Sequence, residues 1–352
     1  MENILKDIAE KCVPQKISLE EVLNIPMFHA SVAIQIHNNK IYTSLPLTEE
    51  RNIQIVRQLA ETTKYHQLPN VVFIYNTMDQ YSYPSASHPI FTHSKISCSK
   101  DCRHILAPCA SFDYLNKKNS KMYHEEQRLD IISKAESFMV TQDLWSKKEN
   151  KITFVGNLYK DRIINTRFPS MDGIEPNIKC VGQDQTHYTD MSELPKYKYL
   201  LNLNGCGGGW SVRLKYLFMC GSLVFYIINY NAVEKHINGL LHLKYMNPYM
   251  VRRNNEYPVY NLYNIEYWMC HSDIENSIIL ATDVYDCARK LEYYASHEDE
   301  AFEKARRAYE YTKNVLTKEN VILYWKILLD TYRSRFDKQI DNLIFTNEFI
   351  YE

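Results

Sequence analysis

The sequence predicts an α/β protein of two successive units, each an open, mostly parallel sheet flanked by helices. Three observations carry that expectation. The chain has 352 residues, more than one hydrophobic core comfortably organises. Two strand-like runs, residues 70–75 (NVVFIY) and 198–203 (KYLLNL), are largely apolar without alternation, as strands buried on both faces are. Strand and helix patterns alternate in two blocks, 1–148 and 149–335, which is the rhythm of strands joined by crossover helices. Residues 336–352 are left as a C-terminal tail.

The elements follow in order. A short helix is expected over about 3–11 and another over 19–23. Residues 30–36 alternate as a strand and stop at His37-Asn38-Asn39-Lys40, a turn signal. Thr48 opens a helix whose first turn carries Glu49 and Glu50, where carboxylates favour the helix dipole, and whose face holds Ile53, Val56, Leu59 and Ala60. The strand at 70–75 runs into the polar stretch Asn76 to Gln80. Residues 80–120 are rich in loop formers, with a short strand at FTHSK, and a helix over about 125–145 closes the first block. The second block opens with a strand at 152–155. It continues with a helix near Arg162, strands at 178–181 and 198–203, a helix over 211–219 and a strand at 222–228. Three amphipathic helices between 273 and 332 end it, with core stripes of Ala, Leu and Ile, free of Met and Tyr, over 299–315 and 321–332.

Composition narrows the function classes. Lys+Arg of 41 against Asp+Glu of 42 gives a net charge of −1, which argues against neutralising nucleic-acid phosphates as the main task. No apolar run is long enough to span a bilayer, and the first residues, MENILKDIAEKC, carry charge where a signal peptide needs apolar length; a cytoplasmic location is expected. Nine cysteines, an odd and scattered set, fit a reducing compartment. Cys98, Cys102, His104 and Cys109 form one cluster, but its spacing matches no common zinc finger or ribbon, and no metal is expected. The 28 tyrosines fit either an AT-rich coding bias or a sugar-binding surface.

The most informative stretch is residues 196–215, KYKYLLNLNGCGGGWSVRLK. An apolar strand runs into glycines and an amphipathic helix leaves them, which presents backbone N–H groups at a sheet's carboxyl edge, a place suited to a diphosphate. Gly205, Gly207, Gly208 and Gly209 allow close backbone approach. Ser211 can cap the helix or donate to a phosphate oxygen, and Arg213 can supply charge and paired donors. A dinucleotide fold would need an acid at the end of the next strand, and SLVFYIINYN has none; a Walker A loop would need Gly-Lys-Ser/Thr. A glycine turn without a ligand is the plain structural alternative.

The block KYKYLLNLNGCGGGWSVRLKYLFMCGSLVF resembles the signature of glycosyltransferase family 90, which includes protein O-glucosyltransferases and capsule-associated xylosyltransferases. SKISCSKDCRHILAP, FVGN and VILYWKILLDTYRSRF add to the resemblance, which spans about residues 70–335. It implies an inverting, metal-independent transferase of GT-B fold. Two Rossmann-like domains would face an interdomain cleft, the first on the acceptor side and the second holding a UDP-sugar such as UDP-glucose or UDP-xylose. The acceptor would be a hydroxyl on a glycan or a protein. The lack of an Asp-x-Asp motif agrees, since paired carboxylates usually hold the metal of metal-dependent relatives. The resemblance places the catalytic base at Asp79, where a carboxylate beyond a strand end can take the acceptor's proton. It places donor contacts at Asn157 and Arg162, and at Gly207, Gly208, Gly209, Trp210, Ser211 and Arg213. Val155 and Asn157 stand where the family has Arg and Ser. Val155 keeps a second reading open, a catalytically inactive UDP-sugar-binding or scaffold protein.

Overall fold

A computed structural model describes residues 1–27, 30–77, 88–96, 103–112, 125–156, 166–180, 190–203, 211–227, 264–338, 340 and 342–350. Two sheets organise it. The first contains β1 (Ser31–His37), β2 (Lys40–Thr43), β3 (Val71–Asn76), β4 (Phe91–Thr92), β6 (Ile105–Leu106) and β13 (Asn347–Glu348), in the order β13-β2-β1-β3-β4-β6. The second contains β7 (Glu149–Gly156), β8 (Glu175–Cys180), β9 (Tyr197–Leu203), β10 (Leu223–Ile227) and β12 (Ile279–Ala281), in the order β12-β10-β9-β7-β8. This is the two-domain, Rossmann-like α/β architecture that the alternating pattern predicts.

The second sheet is parallel at every pairing. Its middle strands β9 and β10 are buried along their whole length, as their continuous apolar runs require. The first sheet keeps parallel order over β3, β4 and β6 and adds an antiparallel wing of β1, β2 and β13. The wing starts at the Asn38-Asn39 turn, where both residues adopt positive φ, 50° and 61°. A two-residue turn of that hand joins antiparallel strands whose twist matches it, so the turn signal in the sequence marks a hairpin.

The helices are α1 (Glu2–Cys12), α2 (Leu19–Leu23), α3 (Glu50–Tyr65), α4 (Glu125–Met139), α5 (Gln142–Ser146), α6 (Leu214–Met219), α7 (Ser272–Glu275), α8 (Val284–Ser296), α9 (Glu298–Val315) and α10 (Lys318–Ser334). Thr317 caps α10 by accepting the Asn320 N–H at 3.2 Å, and Asp283 caps α8 at 2.8 Å from the Asp286 N–H. Among the described residues no helix is long and apolar enough to cross a membrane.

Chain order and packing diverge at both ends of the second block. Helix α4 packs on α6 and on the 3-10 turn Met191–Lys196 of the second half. Lys134 Nζ donates to Ser192 Oγ at 2.9 Å, and the Arg128 guanidinium reaches the Lys313 carbonyl at 3.3 Å. Helix α10, late in the chain, packs instead on α1 and α3 beside the first sheet. Trp325 stacks on Phe91 of β4 with ring centroids 6.5 Å apart, and its Nε1 donates to Gln58 Oε1 at 3.0 Å. Tyr324 and Tyr332 donate their hydroxyls to the carbonyls of Leu106 and Val72. The core stripes of α9 and α10 are therefore not free of tyrosine: Tyr309, Tyr311, Tyr324 and Tyr332 are buried in them beside Ala and Leu. A phenol fits there because its ring packs while its hydroxyl finds a backbone carbonyl. Tyr75, Tyr199, Tyr226 and Tyr267 are also fully buried, so much of the tyrosine excess is core.

The tail is structured as well. Gln35, buried on β1, donates Nε2 to the Asn342 carbonyl at 2.8 Å, and its Oε1 accepts the Ile344 and Phe345 N–H groups at 2.7 and 3.1 Å. Asn347 Nδ2 bonds the Thr43 carbonyl, and β13 covers the edge of β2, a device that keeps an edge strand from pairing elsewhere.

Candidate functional site

The carboxyl ends of parallel strands are where open α/β sheets bind ligands, and one cluster of the described residues lies at such an edge. Arg213 follows Ser211 and Val212 and stands at the N-cap of α6. Its side chain reaches across the ends of β7 and β9: Nη1 donates to the Val155 carbonyl at 2.7 Å and Nη2 to the Leu203 carbonyl at 3.1 Å. Nε makes a longer bond, 3.5 Å, to Oδ1 of the fully buried Asn202. The guanidinium also lies over the Phe154 ring, 4.4 Å from its centroid, where a planar, weakly hydrated cation is favoured. Gly156 makes this fit possible, because a Cβ there would sit on Nη1 of Arg213. A half-buried positive charge is thus held in one orientation where β7 and β9 end.

Ser211 does not cap the helix. Its carbonyl, rather than its hydroxyl, receives the Leu214 N–H at 3.3 Å, and α6 starts three residues later than the sequence pattern suggests. At six residues its dipole is short, so Arg213 rather than the helix end supplies the charge at this edge.

On the first sheet, β3 leads toward Asp79 and is clamped at its end. Thr77 N–H donates to the Ala30 carbonyl at 3.0 Å, and Thr77 Oγ1 lies 2.9 Å from that carbonyl and 3.1 Å from Asn52 Oδ1. Arg51 Nη1 donates to the Thr77 carbonyl at 3.0 Å, and Asn76 Nδ2 to Ser31 Oγ at 2.9 Å. The two halves meet nearby. Lys215 of α6, fully buried, donates Nζ to Ser111 Oγ at 2.6 Å and lies 4.6 Å from the centroid of the Phe112 ring. A two-stranded ladder also joins β5 (Lys95–Ile96) to β11 (Asn264–Ile265).

Of the sequence-predicted site residues, Ser211 and Arg213 are described. Asp79, Asn157, Arg162, Gly207, Gly208, Gly209 and Trp210 lie outside the described residues, as do Cys98 and Cys102. The remaining members of the cysteine cluster are buried, Cys109 Sγ lying 2.8 Å from Ser111 Oγ. His93 and His104 are buried beside β4 and β6, and burial, aided by Lys95 and His88, pushes His104 down to about 4. Sequence reasoning missed Asn202, Phe154 and Gly156 as the seat of Arg213. The signal for Asn202 is a polar residue inside an apolar strand; Phe154 and Gly156 fall in the FVGN stretch, singled out in the sequence without that role.

A guanidinium fixed where parallel strands end is suited in charge and shape to an anionic ligand. The sequence pattern of glycosyl transferase family 90 matches residues 4–254, so the chain belongs to that family. It is similar to mouse (Mus musculus) protein O-glucosyltransferase 1, 21% identical over 284 residues, or 76% of this chain and 63% of the mouse protein. The human (Homo sapiens) and rat (Rattus norvegicus) proteins of the same name are 27% and 26% identical over 137 residues, 39% of this chain and 26% of each. The matched stretch thus spans less than two thirds of the length of these relatives.

Proposed function

We propose that the protein transfers a sugar, glucose or xylose, from a UDP-sugar to a hydroxyl on a glycan or protein acceptor, with inversion and without a metal. The observation that carries this reading is the braced Arg213, inside the stretch that matches the family. Negative charge grows on the departing diphosphate as the sugar leaves. A cation already fixed in place stabilises that charge without having to reorganise during the reaction. In this reading residues 1–148 carry the acceptor side and 149–335 the donor side, with 336–352 as the tail and α4 and α5 packed onto the donor side. Asp79 is the base that takes the acceptor's proton. Asn157, Arg162, Gly207, Gly208, Gly209, Trp210 and Ser211 complete the donor contacts, and the setting is cytoplasmic.

The second reading is a UDP-sugar-binding protein without turnover. Val155 favours it, because only its carbonyl engages Arg213 where the family places another arginine. One experiment separates the two: a panel of UDP-sugars is incubated with the protein and UDP release is followed, with Asp79→Asn as control. The transferase reading expects release from UDP-glucose or UDP-xylose, and a variant that binds UDP but does not turn over. Full activity in Asp79→Asn would refute the assigned base, and UDP binding without any release would favour the inactive protein.

A further inference from the structure

Asn202 sits at the carboxyl end of β9 with its side chain completely buried. Its neighbours Leu200, Leu201 and Leu203 are apolar and buried too, so the amide is the exception in the strand. A guanidinium can only donate, so the oxygen of the amide must be the atom that faces Arg213. That fixes Nδ2 on the other side, where among the described residues no hydrogen-bond partner meets it. A buried donor left without an acceptor costs stability. An apolar side chain of the same size would avoid that cost. The cost falls beside Arg213, already read as a phosphate contact.

We propose that Asn202 is a donor-binding residue: its Nδ2 donates to a diphosphate oxygen of the nucleotide that Arg213 attracts. This inference rests on the UDP-sugar reading and deepens it. An arginine and a neutral amide then hold the diphosphate together, the first by charge and the second by direction. Asn202 is covered at this edge, so the contact requires a local shift there. Nδ2 then gains the acceptor it otherwise lacks, in surroundings of low polarity where a bond to a charged oxygen is strong.

The test is calorimetric titration of the full chain and of Asn202→Ala with UDP and with uridine, together with melting curves without ligand. The expected result is UDP affinity at least about tenfold weaker in the variant, uridine affinity unchanged, and a melting temperature equal to or above that of the wild type. Equal UDP affinity in the two proteins would overturn the assignment. So would a lower melting temperature with UDP and uridine weakened alike, because Asn202 would then only prop Arg213. The variant also removes the acceptor of Arg213, so the wild-type protein is tested as well. In nitrogen-15-labelled protein, the side-chain amide signal that vanishes in Asn202→Ala should move on adding UDP and stay in place on adding uridine; a signal indifferent to UDP would overturn the assignment. Wild-type protein that binds no UDP would sink the nucleotide reading along with it, whereas wild-type binding with an inert Asn202 would sink this inference alone.

Discussion

The second sheet is parallel throughout and is built from residues that lie close together in the chain. The first sheet is mixed and is finished by residues from the far end of the chain. In the second, β9 and β10 are buried along their length, and one polar cluster, Arg213 with Asn202, lies where the strands end. In the first, polar groups are spread over the sheet as anchors: Gln35 holds the tail, and Tyr324, Tyr332 and Trp325 of α10 fasten the helix. The difference teaches a division of labour. One sheet holds a braced guanidinium where its strands end, while the other uses its hydrogen bonds to hold the C-terminal segment in place.

The sharpest way to break that comparison is Trp325→Ala. Trp325 belongs to the last helix, yet its contacts are with Phe91 and Gln58 of the first half. Loss of about 3–5 kcal/mol is expected in urea unfolding, with exchange protection lost first in β3 and β4 rather than in β9. Equal loss in both sheets would mean that they unfold as one unit.

A second contrast is in pH. The unfolded chain binds a proton at His104 near the ordinary value of 6.5, whereas the folded chain holds it down to about 4 through burial, with Lys95 and His88 adding to the effect. Stability from this group is therefore full above pH 6.5 and falls as pH drops from 6.5 to 4, by up to about 3 kcal/mol. The loss should appear in urea titrations across that range and vanish in His104→Phe. Persistence of the same slope in the variant would assign it to other groups.

Gly156→Ala sharpens the comparison from the other side. The new methyl group displaces Nη1 of Arg213, so UDP affinity should fall about tenfold or more, for a stability cost of about 1–2 kcal/mol. The smallest effect is expected from Gln35→Ala. It frees residues 342–345 at a cost of about 1–2 kcal/mol, read as faster proteolysis of the tail with UDP binding unchanged.

Most of the fold was legible in the sequence because strands and helices announce themselves by local period. The strands at 71–76 and 197–203 lie within a residue of where the apolar runs place them. β2 and β13 were missed because each is short and owes its place to partners elsewhere: β2 to the hairpin turn, β13 to an edge some 300 residues away in sequence. Tyrosine inside α9 and α10 was missed because a hydroxyl's partner carbonyl cannot be read from helical spacing. In the site, Arg213 was legible from the glycine-rich block. Its seat was not, since Phe154, Gly156 and Asn202 come together only through the parallel packing of β7 against β9.

In the proposed function the donor's diphosphate is held on the second sheet and the base follows a strand of the first. A crystal structure of the protein grown with UDP tests it most directly. Diphosphate density is expected where β9 ends, within hydrogen-bonding distance of Arg213. Density at the ends of β3 and β4 instead, with Arg213 bonded only to the Val155 and Leu203 carbonyls, would contradict it.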